Sequence, residues 1–200
     1  MVGHRPLEAS IGVQIPAPQP VKNTPSMAKL NAKQLRKSEP TPYELKKIKR
    51  NPIYFVLDEI LDTFNVGSLF RLADAVAGEK IYLCGNMETP PSSRIHKAAV
   101  GTENWVPWEK VDSTLKLILK LKAAGVFIVA VEQNKRAISY KVLKPNFPVA
   151  LVLGHETKGV EKKVLKEADV IVELPMYGVN KSFNVWGSAS VVAYKILESL

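Results

Sequence analysis

Residues 169–197, DVIVELPMYGVNKSFNVWGSASVVAYKIL, decide the fold. Asp169 to Leu174 reads as a short strand, and Pro175 ends it because proline cannot donate to a central ladder. Tyr177 and Gly178 open a loop. Val191, Ala193, Tyr194 and Leu197 then mark a closing helix. Ser182 and Asn184 fall where loop becomes helix, a place where polar side chains cap free N–H groups or face a ligand. Open α/β sheets put their sites at such strand ends.

Working outward, the same grammar recurs. The order is a strand over 53–57, a helix from Asn65 to about Ala77, a strand over 80–84 and a short helix with Arg94, His96 and Lys97. Next come an extended piece over 105–108, a helix capped by Asp112 and stopped by Gly125, and a strand over 126–131. A strand over 149–153, a helix over 160–168 and the C-terminal unit complete the chain. This alternation predicts an α/β protein with a mostly parallel sheet flanked by helices.

The charge is uneven. Residues 1–50 hold 10 Lys+Arg against 3 Asp+Glu, whereas 51–200 hold 18 against 16, within a net +9. Prolines 16, 18, 20, 25, 40 and 42 forbid a long helix in the first segment. The expected division is a disordered basic arm over 1–50 and a folded domain over 51–200. Such arms meet polyanions, nucleic acid first. The lone cysteine, Cys84, lies in an apolar run and reads as a small buried hydrophobe. No stretch has the roughly 18 apolar residues of a membrane span. With no apolar signal core at the N-terminus, the expected location is the cytoplasm.

Three polar clusters interrupt the apolar scaffold. In NVGSLFR (65–71), Asn65 is a natural N-cap, and Arg71 lies in an apolar helix where an unpaired charge is costly. Pairing with Asp58 or Asp74, or snorkelling, is the structural alternative. GHETKG (154–159) follows a strand directly. Gly154 lets a ligand approach the backbone, and Glu156 sits at the strand end. It is neither a P-loop nor GxGxxG. The third is the Ser182–Asn184 turn. All three can converge on one cleft.

NVGSLFRLADA, ALVLGHETKGV and ELPMYGVNKSFNV resemble motifs 1, 2 and 3 of the SPOUT superfamily, in the TrmH (SpoU) branch of RNA ribose 2′-O-methyltransferases. IVAVEQN and AAVGTENWVPWEK fit the same branch. The resemblance covers residues 51–200 and not the arm. It implies a deep C-terminal trefoil knot, a homodimer, S-adenosylmethionine as cofactor and no metal. By position it implies catalytic roles for Arg71, Asn65, Glu156, Ser182 and Asn184. It implies cofactor contacts from Gly154, Leu174, Pro175, Met176 and Phe183, with Glu132 closing the adenosine pocket. Arg50, Arg94, Lys97 and Arg71 are the candidate RNA contacts. The expected substrate is RNA, leaning to transfer RNA over ribosomal RNA. The rivals are a non-catalytic RNA-binding relative, a base methyltransferase and an unrelated small-molecule enzyme. His155, Phe183 and Trp186 depart from the family pattern. His155 reads either as an exposed loop residue or as a group tuning the site, and Trp186 as packed in the dimer or knot.

Overall fold

The computed structural model describes residue 34 and residues 39–200; the calls made for most of residues 1–38 lie outside them. The chain runs α1 (Pro42–Lys46), β1 (Asn51–Asp58), α2 (Thr63–Ala75), β2 (Gly78–Cys84) and α3 (Ser93–Ala99). It continues with a 3-10 turn (Thr102–Asn104), β3 (Trp108–Val111), α4 (Thr114–Ala123), β4 (Phe127–Val131) and β5 (Ile138–Ser139). After a second 3-10 turn (Tyr140–Val142) come β6 (Val149–Gly154), α5 (Lys162–Glu167), β7 (Val170–Glu173) and α6 (Val185–Leu197).

Among the described residues the strands form one sheet of order β3-β2-β1-β6-β4-β7-β5. Every pairing is parallel. β1 shows why both faces are covered. Phe55 and Leu57 enter one core with α2, α3 and α6, while Val56 between them enters a second core with α4 and α5. In register, Asp58 at the end of β1 stands beside Cys84 and Gly154. The carboxyl ends are therefore level, and the loops leaving them share one edge.

Several boundaries differ from the sequence reading. α2 begins at Thr63 under an Asp62 cap, so Asn65 is inside the first turn and not the N-cap. α4 is capped by Ser113, not Asp112. The turn at 102–104 precedes a strand that begins only at Trp108. β5, two residues long, was not anticipated. The folded chain also reaches back before residue 51. Arg50 donates to the carbonyls of Gly78 and Trp105 at 2.9 and 3.0 Å, and Asn104 donates to Glu39 at 2.6 Å.

Candidate active site at the carboxyl edge of the sheet

A cavity of about 670 Å³ opens at this edge. Its walls come from the ends of β4 (Val131–Gln133), β6 (Leu153–Gly159) and β7 (Glu173, Leu174, Met176), and from Ser182 to Val185 with Ser188. Sequence clusters two and three thus meet in one place. Of the expected cofactor contacts, Gly154, Leu174, Met176, Phe183 and Glu132 line it, as do Glu156, Ser182 and Asn184; Pro175, Asn65 and Arg71 do not.

The GHETKG turn folds tightly for a definite reason. Gly159 N–H donates to the His155 carbonyl at 2.8 Å, closing an antiparallel bridge between the two residues. A Cβ on Gly154 would lie 2.2 Å from the Val160 nitrogen, so no larger residue fits. Gly159 has φ +69°, and a Cβ there would meet the Glu132 carboxylate. That carboxylate accepts from Val160 N–H (2.8 Å) and Gln133 N–H (2.9 Å), fastening the ends of β4 and β6 together. His155 is not an exposed loop residue. Its side chain is 11% exposed, and Nδ1 accepts from Thr157 N–H at 3.1 Å.

The first cluster joins through Asn65, which is buried at 3% exposure. Its Nδ2 donates to Glu156 Oε1 at 2.9 Å, and its Oδ1 accepts from Asn184 Nδ2 at 3.1 Å. Glu156 also accepts from the N–H groups of Leu61 (3.1 Å) and Asp62 (3.0 Å). Partial burial pushes the Glu156 carboxyl upward, but Asn65 and the N–H groups of Glu156, Asp62 and Leu61 outweigh it and hold the group below its ordinary value. Asn184 caps α6 by accepting from Trp186 N–H at 3.0 Å. A single web therefore ties segments 61–65, 156 and 184. Ser182 is exposed on the cavity rim, where Gln133 Nε2 donates to the neighbouring Lys181 carbonyl. The Phe183 ring lies against Gly187, where a Cβ would sit 2.7 Å from it.

Arg71 contrasts with this web. It is exposed, with no hydrogen bond or ion pair to any described residue. The expected alternative partners are engaged elsewhere: Asp74 accepts from Trp105 Nε1 (2.8 Å), and Asp58 from Thr114 Oγ1 (2.5 Å) and Glu161 N–H (3.0 Å). Neither Glu156 nor Asn65 bonds to Arg71; their side chains bond to each other and to segment 61–62 and Asn184. Arg94 and Lys97 are exposed on α3, which packs on α2, whereas two donors of Arg50 are committed to carbonyls. Asp58, 6% exposed, was missed as a positioning group; a carboxylate closing an apolar strand was the available signal. Burial pushes the Cys84 thiol up to about 12, which leaves it inert. Among the described residues no group of three or more potential ligands is gathered for a metal, and no helix is long and apolar enough to cross a membrane.

The cavity suits a nucleoside-sized cationic ligand. Its volume is in the range of small-molecule sites; Leu174, Met176 and Phe183 supply apolar wall, and three carboxylates (Glu132, Glu156, Glu173) outnumber the one cation, Lys158, though Glu132 and Glu156 are bonded to the chain's own donors. A parallel α/β sheet with such a cavity outside its carboxyl edge defines a ligand-binding α/β protein of the kind that hosts transferases. Residues 52–194 match the SpoU rRNA Methylase family, and the chain belongs to it. A relative from Aquifex aeolicus, a tRNA (guanosine(18)-2′-O)-methyltransferase, is 29% identical over 152 residues, 76% of this chain and 71% of that protein. YacO of Bacillus subtilis, assigned to the TrmH family of tRNA/rRNA methyltransferases, is 29% identical over 145 residues, 72% of this chain. The chain spans only 58% of YacO's length. Among solved structures, the Aquifex aeolicus TrmH/SpoU tRNA modifying enzyme superposes with a TM-score of 0.70 at 26% identity, covering 84% of this chain and 81% of that one. An AdoMet-bound rRNA methyltransferase from Sinorhizobium meliloti superposes with a TM-score of 0.68 at 26% identity, over 74% and 56%.

Proposed function

We propose that this chain transfers a methyl group from S-adenosylmethionine to a ribose 2′-hydroxyl of RNA, transfer RNA before ribosomal RNA. The observation that carries the reading is the Asn65–Glu156–Asn184 web, which ties the first polar cluster to the two that line the cavity. When bound, the cofactor supplies an electrophilic methyl on a sulfonium. Everything else falls to the chain's own residues. The tight turn from Gly154 to Gly159 and the wall of Leu174, Met176 and Phe183 hold and orient the donor. Ser182, on the rim, orients the ribose. Arg71 is always charged, so it is no simple base; the proton lost from the 2′-hydroxyl as the methyl arrives passes along its guanidinium to the neighbouring RNA phosphate. Arg71 binds the RNA phosphate and stabilises negative charge developing on the 2′-oxygen. Holding nucleophile and methyl in line supplies much of the rate.

Arg71 is exposed and outside the cavity walls, which supports a site completed by a second copy. The exposed apolar side chains Leu61, Phe64, Phe183, Trp186 and Tyr194, on and beside the packed pair α2 and α6, suit a homodimer face. Trp186→Glu is expected to give monomers in sedimentation equilibrium. A dimer that survives it removes this face from consideration. We further read α6 as threaded through a loop, making the family's trefoil knot. Arg94 and Lys97 contact phosphate, and the arm adds charge. The deciding experiment is methylation of total RNA in vitro followed by nucleoside mass spectrometry. Recovery of 2′-O-methylated nucleosides supports the proposal; methylated bases, or none, would end it.

A further inference from the structure

Asp58 lines no wall of the large cavity, yet both of its carboxylate oxygens are engaged beside it. It closes β1, is 6% exposed and stands next to Gly154 in register. Oδ1 accepts from Thr114 Oγ1, in the first turn of α4, at 2.5 Å. Oδ2 accepts from Glu161 N–H at 3.0 Å. Glu161 is the second residue past the GHETKG turn, and the residue between, Val160, gives its N–H to Glu132 at 2.8 Å. The strand order explains the arrangement. β6 lies between β1 and β4, so the turn that leaves it has a strand end on each side. Asp58 closes one of those strands and Glu132 follows the other. Two successive N–H groups of the returning chain are thus held by carboxylates from the two strands that flank β6. The hold is also returned. Glu156, inside the turn, accepts from the N–H groups of Leu61 and Asp62 in the loop that leaves β1. Between the two sets of bonds lies Glu59, with φ +55°, a left-handed conformation that a side chain disfavours and that persists where surrounding bonds enforce it.

We propose that Asp58 is a positioning residue of the methyl-donor site: through Glu161 N–H it fixes the turn from Gly154 to Gly159 and so sets the affinity for S-adenosylmethionine, an inference that rests on the methyl-transfer reading. The turn supplies a run of cavity wall from Gly154 to Gly159, so its shape is the shape of the site. Asp58 grips the chain as it leaves the turn, and the turn grips the loop that Asp58 begins. Without Asp58, Glu161 N–H loses its acceptor and turns to water, and the chain next to Val160 is held from the β4 side alone. The bond to Thr114 serves a different end. It fastens α4 to β1 and touches no part of the turn. The two bonds of one carboxylate can therefore be cut separately.

The test pairs calorimetric titration of the full-length protein with S-adenosylmethionine and amide hydrogen exchange of the ligand-free protein. Asp58→Ala is expected to weaken donor binding about tenfold, the lower end of what losing a supporting hydrogen bond costs behind a metal site. It should also speed exchange at Val160 and Glu161, whose N–H groups are bonded in the wild type. Thr114→Val cuts only the other bond, so it should lower the melting temperature and leave donor affinity in place. Asp58→Asn should restore most of the affinity, its amide oxygen accepting from Glu161 N–H and its N–H₂ donating to the Thr114 hydroxyl. Glu161→Pro removes the N–H itself, at a φ of −54° that suits proline, and should repeat the loss seen in Asp58→Ala. It decides the matter if Asp58→Ala does not fold. Donor affinity or exchange unaltered by cutting the Glu161 bond, or affinity lowered as far by Thr114→Val, would overturn the inference. Donor binding and methyl transfer that ignore Asp58 would sink this role and spare the enzyme. A wild-type protein that binds no donor would end both.

Discussion

Asn65 and Arg71 lie less than two turns apart on α2 and are built to opposite specifications. Asn65 is buried, and both sides of its amide are bonded across the chain, to Glu156 and Asn184. Arg71 is exposed and bonded to nothing among the described residues. One polar side chain is spent on the protein's own architecture and the other is kept for something outside it. The difference separates positioning from chemistry on a single helix, and it can be broken or sharpened by experiment.

The largest effect is expected from Arg71→Ala. Methyl transfer should fall about 10²–10³-fold or more, as when one charge-stabilising donor is removed. Stability should stay within about 0.5 kcal/mol, since no described residue is bonded to this side chain. Parallel single-turnover assays and urea titrations check both halves; a marked loss of stability would erase the contrast. Asn65→Ala is expected to do the opposite. It strands the Glu156 and Asn184 groups and should cost about 1–3 kcal/mol in the same urea titration. An unchanged midpoint would mean the web is ornamental.

Glu156→Gln tests the charge within the web. The folded carboxyl sits below its ordinary value, so its stabilisation is complete above the ordinary glutamate range and fades as pH falls through the lower folded value. The gap in stability between wild type and Glu156→Gln should therefore be constant near neutrality and shrink in acid below about pH 4. A gap that widened in acid would reverse the assignment. The smallest effect concerns α3. Arg94→Ala and Lys97→Ala should each flatten the salt dependence of RNA binding by about one counterion, with binding weakened alike for different sequences. A slope unchanged in both would take α3 out of the RNA surface.

The parallel sheet and the meeting of the GHETKG turn with the Ser182–Asn184 turn were legible in sequence, because apolar runs mark strands and strand-end loops of a parallel sheet share an edge. The partners were not. Asn65 meets Glu156 across 91 positions and Asn184 across 119, and no local pattern encodes a pairing at that range. Asn65 reads as a cap by its residue type, but Asp62, three residues earlier, is also a capping residue, and the structure uses it. Arg71 looked buried because Leu69, Phe70, Leu72 and Ala73 around it are, yet a turn of 100° per residue leaves position 71 on the open side. β5 is too short to carry a period. Glu103 lay in plain view just ahead of Trp105 and Trp108, but its burial and its pairing with His96 are tertiary facts that no local pattern carries.

The strand order has a consequence for how the molecule comes into being. β1 is made early and pairs at once with β2, but its other edge waits for β6, where Ile53 meets Val149 after 96 further residues. During synthesis that hydrophobic edge is open for several seconds at ordinary elongation rates. So distant a closure also slows folding. A newborn chain of this kind is a natural client for a chaperone at the ribosome exit, and stalling between residues 85 and 148 should trap a half-sheet that aggregates, whereas release after β6 should not.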